Sequence, residues 1–187
     1  MIYLIGGPPR CGKTQLAARL CGEYGLLSTS TDLLWSVLEI AVPEWREPMA
    51  KGMSRIAAAG GLFEPFLERA VTTLATLYPN HVLEGEVIRP ANAARMVGEG
   101  RARAVFLMRL RVKAADLLAA GSFDSWLSEQ PPAVVEKVAE EVRGYSATLA
   151  AECAELALPL VDVSGDFNGG LGEAAAALGL PLGAATT

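Results

Sequence analysis

Gly7-Pro8-Pro9-Arg10-Cys11-Gly12-Lys13-Thr14 is the stretch on which the reading of this chain turns. It follows Met1–Ile5, a short apolar run that ends on glycines and reads as a buried strand. It leads into Lys13–Tyr24, where Leu16, Ala17, Leu20, Cys21 and Tyr24 recur at helical spacing until Gly25 stops them. Strand, glycine-bounded loop and helix form the context in which G-x-x-x-x-G-K-T cradles a phosphate chain. Gly7 and Gly12 allow the backbone angles and the close approach, and Pro8, Pro9, Arg10 and Cys11 complete the turn that points successive N–H groups inward. The helix beginning near Lys13 aims its positive end at the phosphates. Lys13 supplies a point charge to the β- and γ-phosphates, and the Thr14 hydroxyl is a ligand for Mg²⁺. Cys11 has two readings: a thiol activated by the helix start, or a side chain of no consequence whose N–H matters; the second is taken.

Working outward, strands alternate with helices. Leu26–Thr29 is a weak strand, and Ser30 or Thr31 caps a helix from Asp32 to Ala41 that Pro43 ends. Residues 43–61, with Trp45, Arg46, Lys51 and Arg55, read as a loop or short-helix insert. Leu62–Tyr78 carries Phe63, Phe66, Leu67, Ala70, Val71, Leu74 and Leu77 on one helical face. His81–Glu86, Ala104–Leu110 and Pro159–Val163 are the remaining strands. Between and after them lie helices over Pro90–Val97, Val112–Ala120, about 133–157 and Gly169–Leu178, then a loose tail over Gly179–Thr187. The alternation predicts an α/β fold, a parallel sheet with helices on both faces.

Composition excludes several classes. Hydrophobic residues reach 51% and charged residues 20%, enough apolar side chains for a sizeable core and too many for disorder along the whole length. With 187 residues one domain over 1–187 is expected. Sixteen basic against 21 acidic residues leave a net charge of −5, which argues against binding a nucleic-acid backbone. No apolar run approaches the roughly 18 residues of a membrane span, and the apolar start lacks the basic leader of a signal peptide. Three cysteines without metal spacing and a single histidine argue against a zinc site and for a reduced, cytoplasmic protein.

Gly6–Thr14, Ser30-Thr31-Asp32 and Leu83-Glu84-Gly85 with Pro90 beyond resemble the small P-loop kinases of nucleosides and metabolites. The nearest likeness is to the neighbourhood of 2-phosphoglycerate kinase, zeta-toxin and chloramphenicol phosphotransferase. The resemblance implies a P-loop NTPase three-layer sandwich around a five-stranded parallel sheet. It also implies an acceptor insert at about 43–61 and a lid-like region at about 111–132. Its cofactors would be ATP and Mg²⁺, and its partner a small-molecule hydroxyl acceptor, with no nucleic acid and no membrane.

In the resembling kinases an acid at the position of Asp32 orients or deprotonates the attacking hydroxyl. An acid on the strand beside the loop holds the metal's water shell, and its place just before a glycine selects Glu84 over Glu86. A capping role for Asp32 and a solvated strand end for Glu84 are the plainer alternatives. The charge of the transition state calls for a cation, worth roughly 10³–10⁵ in rate. Arg109, Arg111 and Arg143 are the candidates; Arg143 is taken, although Glu136, Glu140 and Glu141 offer it an ordinary surface pairing. Residues 121–132 contain no arginine, unlike many lids of this kind. The resemblance sets Ser164-Gly165-Asp166 beside the nucleotide base, and His81 reads as structural. Two rivals stand beside the kinase: an ATP hydrolase, and a nucleotide-binding regulatory module without turnover. A GTPase would carry an Asn-Lys-x-Asp motif, which the sequence lacks.

Overall fold

Every residue of the first strand, β1 (Ile2–Gly6), is buried, as a central parallel strand requires. Its side chains alternate between two cores. Ile2 and Leu4 join Phe63, Leu67, Leu83 and Leu149 on one face of the sheet. Tyr3 and Ile5 join Leu16, Leu20, Val161 and Leu171 on the other. The structure is a computed structural model that describes residues 1–42, 54–119 and 125–183.

Four further strands complete the sheet: β2 (Leu27–Ser30), β3 (His81–Glu84), β4 (Ala102–Met108) and β5 (Leu160–Asp162). All pairs are parallel and the order is β2-β3-β1-β4-β5. The helices are α1 (Lys13–Tyr24), α2 (Thr31–Ala41), α3 (Ser54–Leu77), α4 (Pro90–Gly98), α5 (Ala114–Ala119), α6 (Pro132–Glu155) and α7 (Phe167–Ala177), with a 3-10 turn at Ser125–Glu129. Helices α1 and α7 cover one face and α3, α4 and the end of α6 the other, so the predicted three-layer P-loop architecture is present. A third, smaller cluster joins Val112, Leu117 and Leu127 to Val135, Ala139 and Val142 at the start of α6. No helix among the described residues is long and apolar enough to cross a membrane.

Register positions the functional edge. Glu84 on β3 stands opposite Ile5 of β1 on one side and Ser30 of β2 on the other. The carboxyl ends of the three strands therefore lie in a row, where ligands of open parallel sheets bind.

Several sequence boundaries move. The strand predicted to reach Glu86 stops at Glu84, because Gly85 turns the chain with φ 155° and sends its N–H to Ile5 O at 3.1 Å. The fourth strand runs over 102–108 rather than 104–110, since Arg103 keeps its charged end satisfied by donating to Leu178 O at 2.9 Å. Helix α3 begins at Ser54, not Leu62, despite Gly60, Gly61 and an internal Pro65. Tertiary packing overrides those breakers. Phe63, Leu67 and Val71 are fully buried, and the side chain of Arg89 crosses the notch that Gly60 leaves. The tail is not loose over 179–183. Leu180 and Leu182 pack beside α1, Tyr24 Oη donates to Pro181 O at 2.5 Å, and Gly183 N–H donates to Glu23 at 2.6 Å. Of the expected insert, 43–53 lies outside the described residues and 54–61 opens α3; residues 120–124 of the lid-like region lie outside them too.

Two glycines test this backbone. A Cβ at Gly85 would collide with Thr31 Oγ1 on a backbone of positive φ, whereas Gly144 sits within α6 with open space around it. Gly85→Ala is expected to lose about 1–3 kcal/mol or more, and Gly144→Ala to gain about 0.5–1 kcal/mol. Urea unfolding of the two variants checks both; opposite signs are the expected result.

Candidate active site

The loop between β1 and α1 takes its shape from residues that admit no ordinary side chain. Gly7 and Gly12 have φ of 139° and 91°, and a Cβ at Gly12 would meet the Phe167 ring at 2.7 Å. Arg10 is also left-handed, at φ 57°, an uncommon state for a residue with a Cβ. Cys11 is fully buried and its thiol donates to Pro8 O at 2.9 Å. Burial pushes that thiol's pKa up, so it is not the activated thiolate that a helix start can produce. Its side chain belongs to the core cluster that also holds Ile5, Leu16 and Leu107.

Lys13 opens α1, is almost fully buried, and donates from Nζ to Pro8 O at 2.8 Å. Burial opposes its charge, but the carboxylates of Glu86, Glu84 and Asp32 around it favour the charged form, and its pKa lies above the ordinary lysine value. Thr14 donates its hydroxyl to Glu84 Oε1 at 3.2 Å. The Glu84 carboxyl is itself buried, and burial raises its pKa; Asp32 adds to the rise, while Lys13 and hydrogen bonds from Thr14 and Ser30 oppose it. Lys13, Thr14, Glu84 and Asp32 thus share one electrostatic environment at the carboxyl edge.

Asp32 is exposed in the first turn of α2 and is not the cap. Ser30 caps that helix, accepting from Asp32 N–H at 3.2 Å, and also hydrogen-bonds Glu84. Ser30 therefore ties the two acids together, a role that its capping signal in the sequence did not reveal. Glu86 lies near enough to act on Lys13 and Cys11.

The arginines separate. Arg143 donates to Val112 O at 2.7 Å and pairs with Glu136 at 3.2 Å, the surface pairing that the acidic residues of α6 suggested. Arg111 is largely exposed and lies 3.7 Å from Asp162. Arg109 is buried, donates to Arg10 O at 3.2 Å, and has its guanidinium 6.0 Å from the Phe167 ring centroid. After β5, Asp162 accepts from Ser164 N–H at 2.9 Å and from its hydroxyl at 2.5 Å, while Asp166 caps α7 through Gly169 N–H. His81 is buried with Nε2 2.9 Å from Thr29 Oγ1, and burial lowers its pKa. Trp45, Arg46 and Lys51 lie outside the described residues, as does the side chain of Arg55.

No group of three or more His, Cys, Asp or Glu that could hold a metal occurs among the described residues. The hydroxyl–carboxylate pair of Thr14 and Glu84 is nonetheless the hard-oxygen set that suits Mg²⁺. That ion keeps several waters and takes its other ligands from phosphates rather than from a protein cage.

No protein-family model matches the sequence, and no curated protein matches it. Solved structures are similar at low identity. A gluconokinase from Sinorhizobium meliloti 1021 is 18% identical, over 95% of this chain and 90% of that one, at a TM-score of 0.48. Shikimate kinase from Aquifex aeolicus vf5 is 17% identical, over 95% of each chain, at 0.48. A tunicamycin resistance protein from Deinococcus radiodurans is 18% identical, over 98% of each chain, at 0.49.

The raised Glu84 pKa has a definite sign in stability. The folded chain holds this proton more tightly than the unfolded chain does. The charge therefore costs stability progressively as pH rises from the ordinary glutamate value of 4.5 to the folded value, and the full cost is present above both. Glu84→Gln, which keeps an acceptor for Thr14, is expected to raise the urea midpoint of the ligand-free protein at neutral pH, with the gain shrinking below pH 4.5. A lower midpoint in the Gln variant at neutral pH would contradict the assigned environment.

Proposed function

We propose that the protein is an ATP-dependent phosphotransferase that acts on a hydroxyl group of a small molecule. The observation that carries this reading is the row of strand ends: the Lys13–Thr14 loop after β1, Glu84 at the end of β3, and Asp32 just after β2. The Asp32 carboxylate is exposed, yet close enough to Lys13 and Glu84 for its charge to act on both, which supports a place for it beside the reacting groups.

Bound Mg²⁺-ATP would supply the phosphoryl group and a divalent charge next to it. Lys13 would balance the charge of the phosphates, held protonated by the surrounding carboxylates. Thr14 would offer its hydroxyl oxygen to the metal, and Glu84 would accept hydrogen bonds from the metal's waters. Asp32 would orient the acceptor hydroxyl and take its proton on a carboxylate oxygen; in a loose transition state that orientation matters at least as much as basicity. Among the described arginines, Arg109 stands next to the loop through Arg10 O, while Arg143 is engaged by Val112 and Glu136. The pairing of Arg143 makes it a brace between the start of α6 and Val112 in this reading, not the transition-state cation.

The net charge of −5 supports a small acceptor over a nucleic-acid strand. Hydrolysis of ATP by water is the alternative reaction of the same site, and a rise in turnover on adding an acceptor hydroxyl distinguishes the two.

Two substitutions test the reading. Lys13→Ala is expected to abolish Mg²⁺-ATP binding or turnover while the fold survives, and unchanged binding would remove the phosphate-loop assignment. Asp32→Asn is expected to cut acceptor phosphorylation by about 10²–10⁴ with ATP affinity unchanged. Stability should hold as well, because Ser30 and not Asp32 caps α2. ADP release with and without candidate hydroxyl compounds separates kinase, hydrolase and non-catalytic module, and full activity in the Asn variant would overturn the role given to Asp32.

A further inference from the structure

Arg10 stands in the middle of the phosphate loop with φ 57°. Among the described residues only Asn80 and Ala157 share a positive φ without being glycine. A left-handed backbone costs an ordinary side chain about 1 kcal/mol or more, so some contact must hold Arg10 there. One such contact comes from Arg109, whose Nη1 donates to Arg10 O at 3.2 Å.

Arg109 is well placed to act as a fixed support. Its side chain is buried, with the guanidinium against Phe167, the residue whose ring also packs over Gly12 at the far end of the loop. Its backbone N–H donates to the hydroxyl of Ser146, which is fully buried on α6, at 3.0 Å. Its Nε is buried without a hydrogen-bond partner among the described residues, so the bond to Arg10 O is the directed polar contact of the guanidinium. The carbonyl that it holds belongs to the peptide whose N–H is that of Cys11. Turning residue 10 out of the left-handed region would rotate that peptide, and with it an N–H group of the cradle.

We infer that Arg109 is a positioning residue for the phosphate loop: its charged N–H locks Arg10 in the left-handed state and so sets the direction of the Cys11 N–H toward a bound polyphosphate. This rests on the nucleotide-binding part of the reading above. Arg109 acts through the Arg10 backbone, so the identity of residue 10 decides how much Arg109 matters. A glycine at position 10 adopts the left-handed state without strain and needs no lock.

A double-mutant cycle tests this. Affinities of Mg²⁺-ATP and of inorganic tripolyphosphate are measured for the wild-type chain, Arg109→Gln, Arg10→Gly and the double variant, with urea unfolding of each. Arg109→Gln is expected to weaken both ligands by about tenfold or more, the range of a charge-assisted hydrogen bond. In the Arg10→Gly background the same change is expected to cost less than about threefold, since glycine holds the left-handed state unaided. Arg10→Asn, with a side chain that tolerates the left-handed region, should shrink the effect in the same direction. Should Arg109→Gln unfold, Arg109→Lys carries the cycle, since it keeps the charge and loses the planar fork. An equal loss in the wild-type and Arg10→Gly backgrounds would overturn the proposal, as would a loss confined to ATP with tripolyphosphate unaffected, because either would mean direct contact with the nucleotide. Failure of the wild-type chain to bind Mg²⁺-ATP would overturn the phosphotransferase reading and this role with it, an outcome distinct from binding without coupling.

Discussion

A buried carboxylate at the end of a central strand is the constraint around which the functional edge is arranged. Glu84 is only 4% exposed, yet it lies between two other strand ends and beside a buried lysine. A charge in such a place is costly unless it is hydrogen-bonded and balanced. Thr14 and Ser30 provide the hydrogen bonds and Lys13 the balance, and they come from two different strand–helix junctions. One demand of local electrostatics therefore couples the phosphate loop, the second strand and the third strand. The rise that remains in the Glu84 pKa is the part of the cost of burial that these partners leave uncompensated.

The parts of the fold that could be read from sequence were those where one residue type is demanded by backbone geometry. The glycines of the loop, the apolar β1 and the helical spacing of α1 left little room for another reading, and the five strands follow from the same alternation. The elements misread were those where distant contacts decide. Gly60, Gly61 and Pro65 signal a break, but Phe63, Leu67 and Val71 supply enough burial to carry the helix through them. Arg103 falls outside the strand expected from Ala104 and is nonetheless strand, because Leu178 O, 75 residues away, takes its charged end. The tail reads as loose because nothing local shows that Tyr24 and Glu23 will hold it.

The candidate site was legible in its residue types and less so in its wiring. The motif names Lys13 and Thr14, and the resemblance names Asp32 and Glu84, all of which the sheet register gathers at one edge. Ser30 was visible as a helix cap and as part of the Ser30-Thr31-Asp32 likeness, but not as a partner of Glu84, since a bond between its hydroxyl and a strand distant in the chain leaves no trace in spacing. The arginines were the least legible. Their long side chains reach many partners, so position along the chain does not say whether Arg143 faces a ligand or, as found, Val112 and Glu136.

Helix α6 belongs to two cores at once. Val135, Ala139 and Val142 lie in the small cluster with Val112, Leu117 and Leu127, while Leu149 and Cys153 lie in the core against the sheet. Gly144 falls between those two sets, with no neighbouring atom within 4 Å of where a side chain would begin. A residue without a side chain thus marks where α6 passes from one core to the other. Ser146 lies just beyond it and accepts from the Arg109 backbone N–H, so the helix that closes the small cluster is also wired, through Arg109, to the loop at Arg10.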